Sequence, residues 1–307
     1  MVDFGADHSF GKAVEKLREH YRIEVPASAV RLFTQHHGQL IADRQLERRL
    51  PAGGVTQLIA EMDGCLVPTV TTGEAESADS TADKRKERKL EWREARLVMV
   101  RRPELVSKFY SATLMGVEIV GEHLLDRVIE AGGGEKTKIH CLGDGAVWIE
   151  GQVKKRLGER GSYLIDFYHT SEYLAKAAMA IEGSEEKGWL REQKERMKEN
   201  RVEDVLKELE AGLGKEIEEG GREAVIGCKR YIKNRIEYLD YKGAREAGLP
   251  IGTGEVESGN RSVIQARLKI AGAWWKVENA EKMLGLRAMR ASGEWQSYWD
   301  DIRQAAA

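Results

Sequence analysis

Four acidic residues stand where a chain could build a site for metal-dependent phosphoryl transfer. Asp63 and Asp144 each precede a glycine at the end of an apolar run, in EMDG and LGDG. Glu255 and Glu257 follow the glycine-rich stretch GLPIGTG, just before a segment with a helical pattern. Carboxylate oxygens are the ligands that Mg²⁺ and Mn²⁺ prefer. Two such ions can activate water on one side of a phosphodiester and stabilise the leaving oxygen on the other.

Each of these positions also has a purely structural interpretation. Asp-Gly is a strong turn signal, and a carboxylate near a helix N-terminus is a common cap. If the two apolar runs form neighbouring strands, Asp63 and Asp144 lie side by side, and a bound cation relieves their repulsion. A glutamate at the start of a helix facing the same edge would complete the set. The residues alone leave both interpretations open.

The elements that must position these residues follow from the apolar periodicity. Two helices are predicted within residues 9–50, and the polar stretch 71–89 predicts a loop. Five segments have the pattern of strands: 55–64, 92–100, 108–115, 136–146 and 162–169. Three consecutive strands favour an antiparallel meander, and the later strand–helix–strand order favours parallel additions. The sequence therefore predicts an α/β protein with a mixed five-stranded sheet flanked by helices.

The remaining pattern divides the chain into four parts. An N-terminal helical segment covers residues 1–52, and the first part of the α/β core covers 53–169. Residues 170–247 are helical in pattern and strongly charged, which indicates a helical insertion. Residues 248–307 then hold the C-terminal core helix and a tryptophan-rich tail.

Composition narrows the class of protein. A chain of 307 residues with 33% charged and 41% hydrophobic residues is typical of a soluble, helix-rich protein. No apolar run reaches the ~18 residues of a membrane span, and the N-terminus lacks a signal-peptide pattern. The three cysteines form no CxxC pair, which argues against structural zinc and for a reducing cytoplasm. A net charge of −2 argues mildly against nucleic-acid binding by the whole chain, but local basic clusters can still bind phosphates.

Several segments resemble bacterial insertion-sequence transposases of the DDE type, most closely the ISKra-type group and more distantly the Mutator-like transposases. They are EMDGC, KLEWREARLVMV, LGDGAVWIEG, LIDFYHTSEYLAKA, GLPIGTGEVESGN and RLKIAGAWWKVENAEKMLGLRAMRASGEW. The resemblance runs from about residue 10 to about residue 300. It implies an RNase H-like fold with an all-helical insertion before the last core helix. Related transposases carry a longer region ahead of the first aspartate, so it also implies a short or truncated form.

Carried over to this chain, the resemblance implies a catalytic set of Asp63, Asp144 and Glu257 that holds two Mg²⁺ or Mn²⁺ ions. Related families place the glutamate in an ES-x-N pattern, which residues 257–260 match as ESGN. Glu255 remains the alternative ligand, because it lies only two positions away.

A further signature lies between the second aspartate and the glutamate. Asp166 and His169 in DFYH resemble the Asp/Cys-x-x-His motif of related transposases. The resemblance implies that His169 contacts DNA near the scissile phosphate or a flipped base. The structural alternatives are a helix N-cap for Asp166 and a carbonyl hydrogen bond for His169.

A row of residues beyond the glutamates is expected to face DNA. Arg261, Gln265 and Lys269 follow Glu257 at intervals of four and would share one helical face. Two adjacent tryptophans on one helix cannot both face the core, so one is expected to pack inward and the other, assigned here as Trp275, to stack on a base or a partner. A solvated helix face and core packing are the alternatives.

These expectations combine into a DNA transposase that cleaves and transfers DNA strands. Its partners would be double-stranded DNA, as transposon ends and target, and a second copy of the chain, because two ends must be joined. No membrane association is expected, and the protein would be cytoplasmic. The alternatives are a transposase-derived DNA-binding or regulatory protein without turnover, and a metal-dependent nuclease that cuts without strand transfer.

Overall fold

The computed structural model describes residues 1–44, 48–72, 88–183 and 186–305. The described strands are β1 (Gln57–Thr72), β2 (Arg88–Arg101), β3 (Phe109–Thr113), β4 (Lys138–Gly143) and β5 (Gly161–Ile165). The helices of the first half are α1 (Val2–Asp7), α2 (Phe10–Tyr21), α3 (Ala27–Ala42), α4 (Val117–Glu130) and α5 (Val147–Leu157). Those of the second half are α6 (Phe167–Glu182), α7 (Glu186–Lys198), α8 (Val202–Leu213), α9 (Glu219–Lys233), α10 (Tyr241–Glu246), α11 (Gly254–Gly259), α12 (Ala266–Leu268), α13 (Val277–Ala291) and α14 (Trp295–Ala305).

The five strands form one mixed sheet in the order β3-β2-β1-β4-β5. The β1–β2 and β2–β3 pairs are antiparallel, and the β4–β5 pair is parallel. The α5 helix connects β4 to β5, as expected for a parallel crossover. The predicted α/β class, the antiparallel meander and the helical pattern of residues 170–247 are therefore confirmed.

The first strand is longer than predicted. The prediction ended it at Asp63 and Gly64, but β1 continues to Thr72 in register with β2, and Asp63 pairs with Leu97. Because β2 supplies a partner for every residue from Ile59 onward, the Asp-Gly dipeptide does not turn the chain. Asp63 lies in the middle of a strand and not at its end. Most of the predicted loop 71–89 lies outside the described residues, and its two ends belong to β1 and β2.

The chain forms two compact units, one of residues 1–137 and 255–307 and one of residues 138–254. In the first unit an apolar core lies between β1–β3 and the helical segments that follow residue 255; among its buried residues are Leu97, Met99, Val256, Ile264, Leu268, Trp275, Met283 and Leu284. In the second unit β4 and β5 bury apolar residues together with α5 and α6; among them are Leu142, Ile149, Val153, Leu164 and Leu174. The four-part division made from the sequence stays a prediction.

The helix that follows Glu255 and Glu257 differs from the expected regular one. It begins already at Gly254, so both glutamates lie inside α11, and it continues as a π-helix from Asn260 to Gln265 before α12. A π-helix forms i→i+5 hydrogen bonds and so changes the angle between successive side chains. The expected row of residues at intervals of four on one α-helical face is therefore wrong.

The tryptophan pair also lies outside any helix. Trp274 and Trp275 belong to the segment between α12 and α13, and Trp275 forms a parallel bridge with Thr69 of β1. The helical run ahead of them ends at Leu268, and Gly272, with φ +76°, lies in the turn that follows. In an extended segment neighbouring side chains point to opposite sides, so the two tryptophan rings face different surroundings.

None of the helices in the described ranges is long and apolar enough to cross a membrane. All three cysteines are free; Cys141 and Cys228 are buried, and Cys65 is half-buried. The cytoplasmic location stays a prediction.

Candidate active site

Two carboxylates of β1 lie on the same face of the sheet, because they are two residues apart. Asp63 is half-buried; its Oδ2 accepts a hydrogen bond from Asn260 Nδ2 at 2.6 Å, and its Oδ1 accepts one from the Gly64 amide at 2.7 Å. Glu61 is only 1% exposed and accepts a hydrogen bond from the Val256 amide at 2.9 Å. Both side chains thus tie the middle of β1 to the helical segment that carries Glu255 and Glu257.

The buried glutamate was missed by the sequence reasoning. Burial raises the pKa of Glu61 to about 7; the neighbouring Glu255 carboxylate adds to the rise, while the Val256 amide, Arg101 and Lys108 oppose it. Strongly shifted carboxylates cluster at functional sites. The available signal was its position two residues before Asp63 in the otherwise apolar run LIAEM.

The two glutamates of α11 have different surroundings. Glu255 forms ion pairs with Arg101 Nη2 at 2.8 Å and with Lys108 Nζ at 3.0 Å. Burial acts to raise its pKa, but hydrogen bonds from Lys108 and Arg101 outweigh burial and hold that pKa below its ordinary value. Glu257 is exposed and makes no hydrogen bond or ion pair with any described residue. Two cations of the protein therefore already engage Glu255, whereas the Glu257 carboxylate is available to a ligand.

Asp144 immediately follows β4, as predicted, and belongs to the second unit. Its Oδ1 accepts a hydrogen bond from the Ala146 amide at 2.8 Å, and the intervening Gly145 has φ +90°. The Tyr231 hydroxyl donates to the Asp144 carbonyl at 3.0 Å, and the Gly145 amide donates to the Tyr163 hydroxyl at 3.1 Å. The buried Tyr231 and the half-buried Tyr163 thus hold the backbone of this turn and fix the place from which the carboxylate projects.

The carboxylate of Asp166 has a structural role. Its Oδ1 caps α6 by accepting hydrogen bonds from the amides of Tyr168 at 2.5 Å and His169 at 3.3 Å. Its Oδ2 accepts from the Thr253 amide at 3.0 Å and from the Thr253 hydroxyl. Asp166 is 2% exposed. The N-cap considered as the alternative is therefore what the structure shows.

His169 lies in the first turn of α6 and is half-buried. Its ring meets Tyr173 edge-on at 5.6 Å between centroids and Tyr231 at 6.0 Å, and its Nδ1 lies 3.9 Å from a Glu172 oxygen. Tyr231 is also the residue that holds the Asp144 carbonyl, so the histidine and the aspartate share one aromatic support within the second unit. Its contact with DNA stays a prediction.

Arg261 and Gln265 lie on the π-helix and Lys269 follows α12, so the residues expected to bind DNA beyond Glu257 do not share one α-helical face. Arg261 is exposed, Gln265 lies beside the Cys65 thiol, and Lys269 Nζ lies 6.0 Å from the centre of the Trp92 ring. Their contacts with DNA stay predictions, although the shared helical face is lost.

The tryptophan expected to stack on a base is the buried member of its pair. Trp275 is 7% exposed, and its Nε1 donates a hydrogen bond to the Leu268 carbonyl at 3.1 Å. Trp274 is 40% exposed. The assignment of the outward ring to Trp275 is thus corrected: Trp274 is the ring that a partner can reach.

The chemistry of the candidate residues suits a hard divalent cation, since carboxylate oxygens are its preferred ligands. In the first unit Asn260, one helical turn after Glu257, donates to Asp63 and so brings that segment to β1. Across the described ranges, no group of three or more His, Cys, Asp or Glu side chains is arranged to hold a metal ion. Asp63 and Glu257 belong to the first unit and Asp144 to the second.

The comparison with protein families extends over both units. The model of the uncharacterised protein family UPF0236 matches residues 9–300 of the chain. No curated protein gives a significant match. The family match includes all of the acidic residues described above, and it covers nearly the whole sequence. The chain therefore belongs to the uncharacterised protein family UPF0236.

Proposed function

We propose that this protein is a DNA transposase of the DDE type with an RNase H-like core, which cleaves DNA strands and transfers them with the help of divalent cations. One observation carries the proposal. Asn260 holds the Asp63 carboxylate at 2.6 Å, and Glu257 stands one helical turn before Asn260 with its own carboxylate unengaged by any described residue. The two acidic residues implied by the resemblance are thus joined through one helical segment.

The assignment of residues follows from their surroundings. Asp63 and Glu257 from the first unit and Asp144 from the second are proposed as the ligands of two Mg²⁺ or Mn²⁺ ions. Asp166 and Glu255 are excluded, because a helix N-terminus with Thr253 engages the former and two cations engage the latter. The ions would supply charge neutralisation at the phosphodiester and an activated oxygen nucleophile.

The protein itself contributes position and orientation. The Asn260 amide and the Gly64 backbone amide hold one oxygen each of Asp63, so this carboxylate is fixed before any ligand arrives. The tyrosine-supported turn fixes the backbone of Asp144. Pre-organised groups of this kind are the main source of rate enhancement in phosphoryl transfer, in which the protein forms few covalent bonds.

The experiment is a joining assay. A labelled duplex with a pre-cut 3′ end is incubated with supercoiled plasmid and protein in Mn²⁺, Mg²⁺ or EDTA, and joined and nicked products are separated on a gel. Joining in Mn²⁺ but not in EDTA is expected, with a loss of at least ~100-fold in Asp63→Asn, Asp144→Asn and Glu257→Gln. Glu255→Gln is the matched control and should keep most of the activity.

The other outcomes identify the alternatives. Metal-dependent nicking without joined product would indicate a nuclease that uses the same residues, and not a transposase. DNA binding without nicked or joined product would indicate a regulatory DNA-binding protein. If Asp63→Asn, Asp144→Asn and Glu257→Gln all kept the activity of the wild type, the assignment of the site would be refuted.

A further inference from the structure

An open cavity of about 860 Å³ lies on the first unit. Its walls come from the start of α2, from α3, from the outer ends of β1 and β2, and from the segment that leads into α13. The described lining residues are Ser9, Phe10, Arg31, Gln35, Val70, Arg88, Leu90, Arg267, Ala273, Trp274, Trp275, Lys276, Glu278 and Asn279. The volume lies within the ~300–1,000 Å³ of typical ligand sites.

One lining residue, Trp274, is an exposed aromatic ring, and a second exposed ring and a cation lie beside it. Trp274 is 40% exposed and meets Trp92, which is 56% exposed, edge-on with ring centroids 6.1 Å apart. Lys269 Nζ lies 6.0 Å from the centre of the Trp92 ring. Exposed aromatic faces beside cations are the platform on which single-stranded nucleic acids stack.

The charge of the lining is strongly positive. Its described residues include four cations, Arg31, Arg88, Arg267 and Lys276, and one acid, Glu278. None of Arg31, Arg88 and Lys276 forms an ion pair with a described residue. The whole chain carries a net charge of −2, so this excess of cations is local and favours an anionic ligand.

Arg267 is the second, independent sign of a ligand. It is 2% exposed, and its guanidinium carbon lies 4.8 Å from the ring centres of both Phe10 and Trp275. Its Nε donates to the Gly5 carbonyl at 3.2 Å, but its Nη2 has no hydrogen-bond partner among the described residues. A buried donor without an acceptor is costly and rare in proteins. An acceptor brought by a ligand would remove this cost.

We infer that this cavity binds an unpaired nucleotide of a DNA strand, with the base against Trp274 and its phosphates at Arg31, Arg88 and Lys276. The inference rests on the proposed function, which supplies DNA as the substrate, and it specifies the form of that DNA. Within a duplex each base face is covered by its neighbours, so only an unpaired or extruded base can lie on an exposed tryptophan. Arg267, one of the lining residues, is the donor for an acceptor atom of the nucleotide.

The test is the binding of a fluorescein-labelled single-stranded octanucleotide, measured by anisotropy in EDTA, so that no metal-dependent step contributes. Because stacking of one base contributes 1–3 kcal/mol, Trp274→Ala is expected to weaken binding by about 5- to 150-fold. Tyr21→Ala is the matched control, since Tyr21 is 63% exposed on the same unit and does not line the cavity. Its affinity should equal that of the wild type.

The phosphate contacts are tested by salt dependence. Arg31→Gln and Lys276→Gln should each lower the slope of log affinity against log salt by ~0.7, the value for one phosphate of a single strand. Arg49→Gln, an exposed arginine outside the cavity, is the control and should leave the slope unchanged. Thermal unfolding of every variant checks that the fold is intact.

The outcomes separate this inference from the proposed function. If the wild type joins DNA ends but Trp274→Ala binds the octanucleotide as tightly as the wild type, the cavity inference falls and the function stands. If Trp274→Ala loses binding but no metal-dependent cleavage or joining is found, the function falls and the nucleotide site stands. If a heptaglutamate peptide competed for the cavity as well as an unlabelled octanucleotide does, the ligand would be an acidic peptide and the inference would be overturned.

Discussion

The pH dependence of folding stability should contain a contribution from His123 of α4. Burial lowers the pKa of this histidine from its ordinary 6.5 to about 4; Asp126 opposes the shift, while Arg127 and Arg48 favour it. Its Nδ1 is shut off from solvent and has no hydrogen-bond partner among the described residues. The folded protein therefore holds this ring neutral at a pH where the unfolded chain protonates it.

The sign and size of the effect follow from linkage. Between pH 6.5 and pH 4 the unfolded state binds more protons at His123, so the free energy of unfolding falls as the pH falls through this window. A full shift of this size corresponds to ~3 kcal/mol at 1.36 kcal/mol per pKa unit. Because the side chain is only partly buried, we expect the free energy of unfolding to fall by about 2 kcal/mol between pH 7 and pH 4.5.

The assay is urea unfolding of the wild type and His123→Gln at pH 7 and pH 4.5. The stability of the variant relative to the wild type should rise by about 2 kcal/mol on going to the lower pH, since glutamine does not titrate. His20→Gln, which removes an exposed histidine from α2, is measured alongside as the matched substitution at the surface. A relative stability of His123→Gln that is the same at both pH values would refute the reasoning.

Three further predictions concern stability, each measured by urea unfolding. Trp275→Ala should lower the free energy of unfolding by ~3–5 kcal/mol because it empties a core position, whereas Trp274→Ala should cost less than ~1 kcal/mol; equal losses would contradict the assignment of the buried ring. Asp166→Ala and Thr253→Val should show a coupling energy of ~0.5–3 kcal/mol in a double-mutant cycle, because both remove the hydrogen bond from the Thr253 hydroxyl to Asp166, and strict additivity would exclude that contact. Gly145→Ala should cost at least ~1 kcal/mol, because φ is +90° there and the new Cβ would lie 2.8 Å from a tyrosine hydroxyl; an unchanged stability would mean that the turn adopts another conformation.

The elements that sequence patterns predicted well are those set by local chemistry. The end of β4 before Asp144 was predicted because the following Gly145 adopts a positive φ that glycine tolerates at little cost. The N-cap at Asp166 was one of the alternatives considered, because its short side chain can cap the first amides of a helix. In both cases the deciding contacts lie within three residues of each other, so the sequence window contains them. The strand predicted over 162–169 is wrong in its second half, since β5 ends at Ile165 and α6 begins at Phe167.

The features that the sequence did not predict depend on distant partners. The β1 strand runs past Asp63 because β2 pairs with it, and an Asp-Gly signal cannot show whether such a partner exists. The burial of Glu61 depends on the Val256 amide, which lies 195 residues further along the chain. The π-helix and the bridge of Trp275 to Thr69 are likewise fixed by tertiary packing, which overrides the helical pattern of the segment.

The most direct measurement of the central claim is Mn²⁺ binding by calorimetry in the presence of a nicked DNA duplex. The wild type and Glu255→Gln are expected to bind Mn²⁺, and Asp63→Asn, Asp144→Asn and Glu257→Gln are expected to lose binding. Loss in Glu255→Gln with retention in Glu257→Gln would move the third ligand to the glutamate that Arg101 and Lys108 engage. Unchanged binding in all four variants would contradict the account, because Asp63, Asp144 and Glu257 would then be strand, turn and surface residues without a metal.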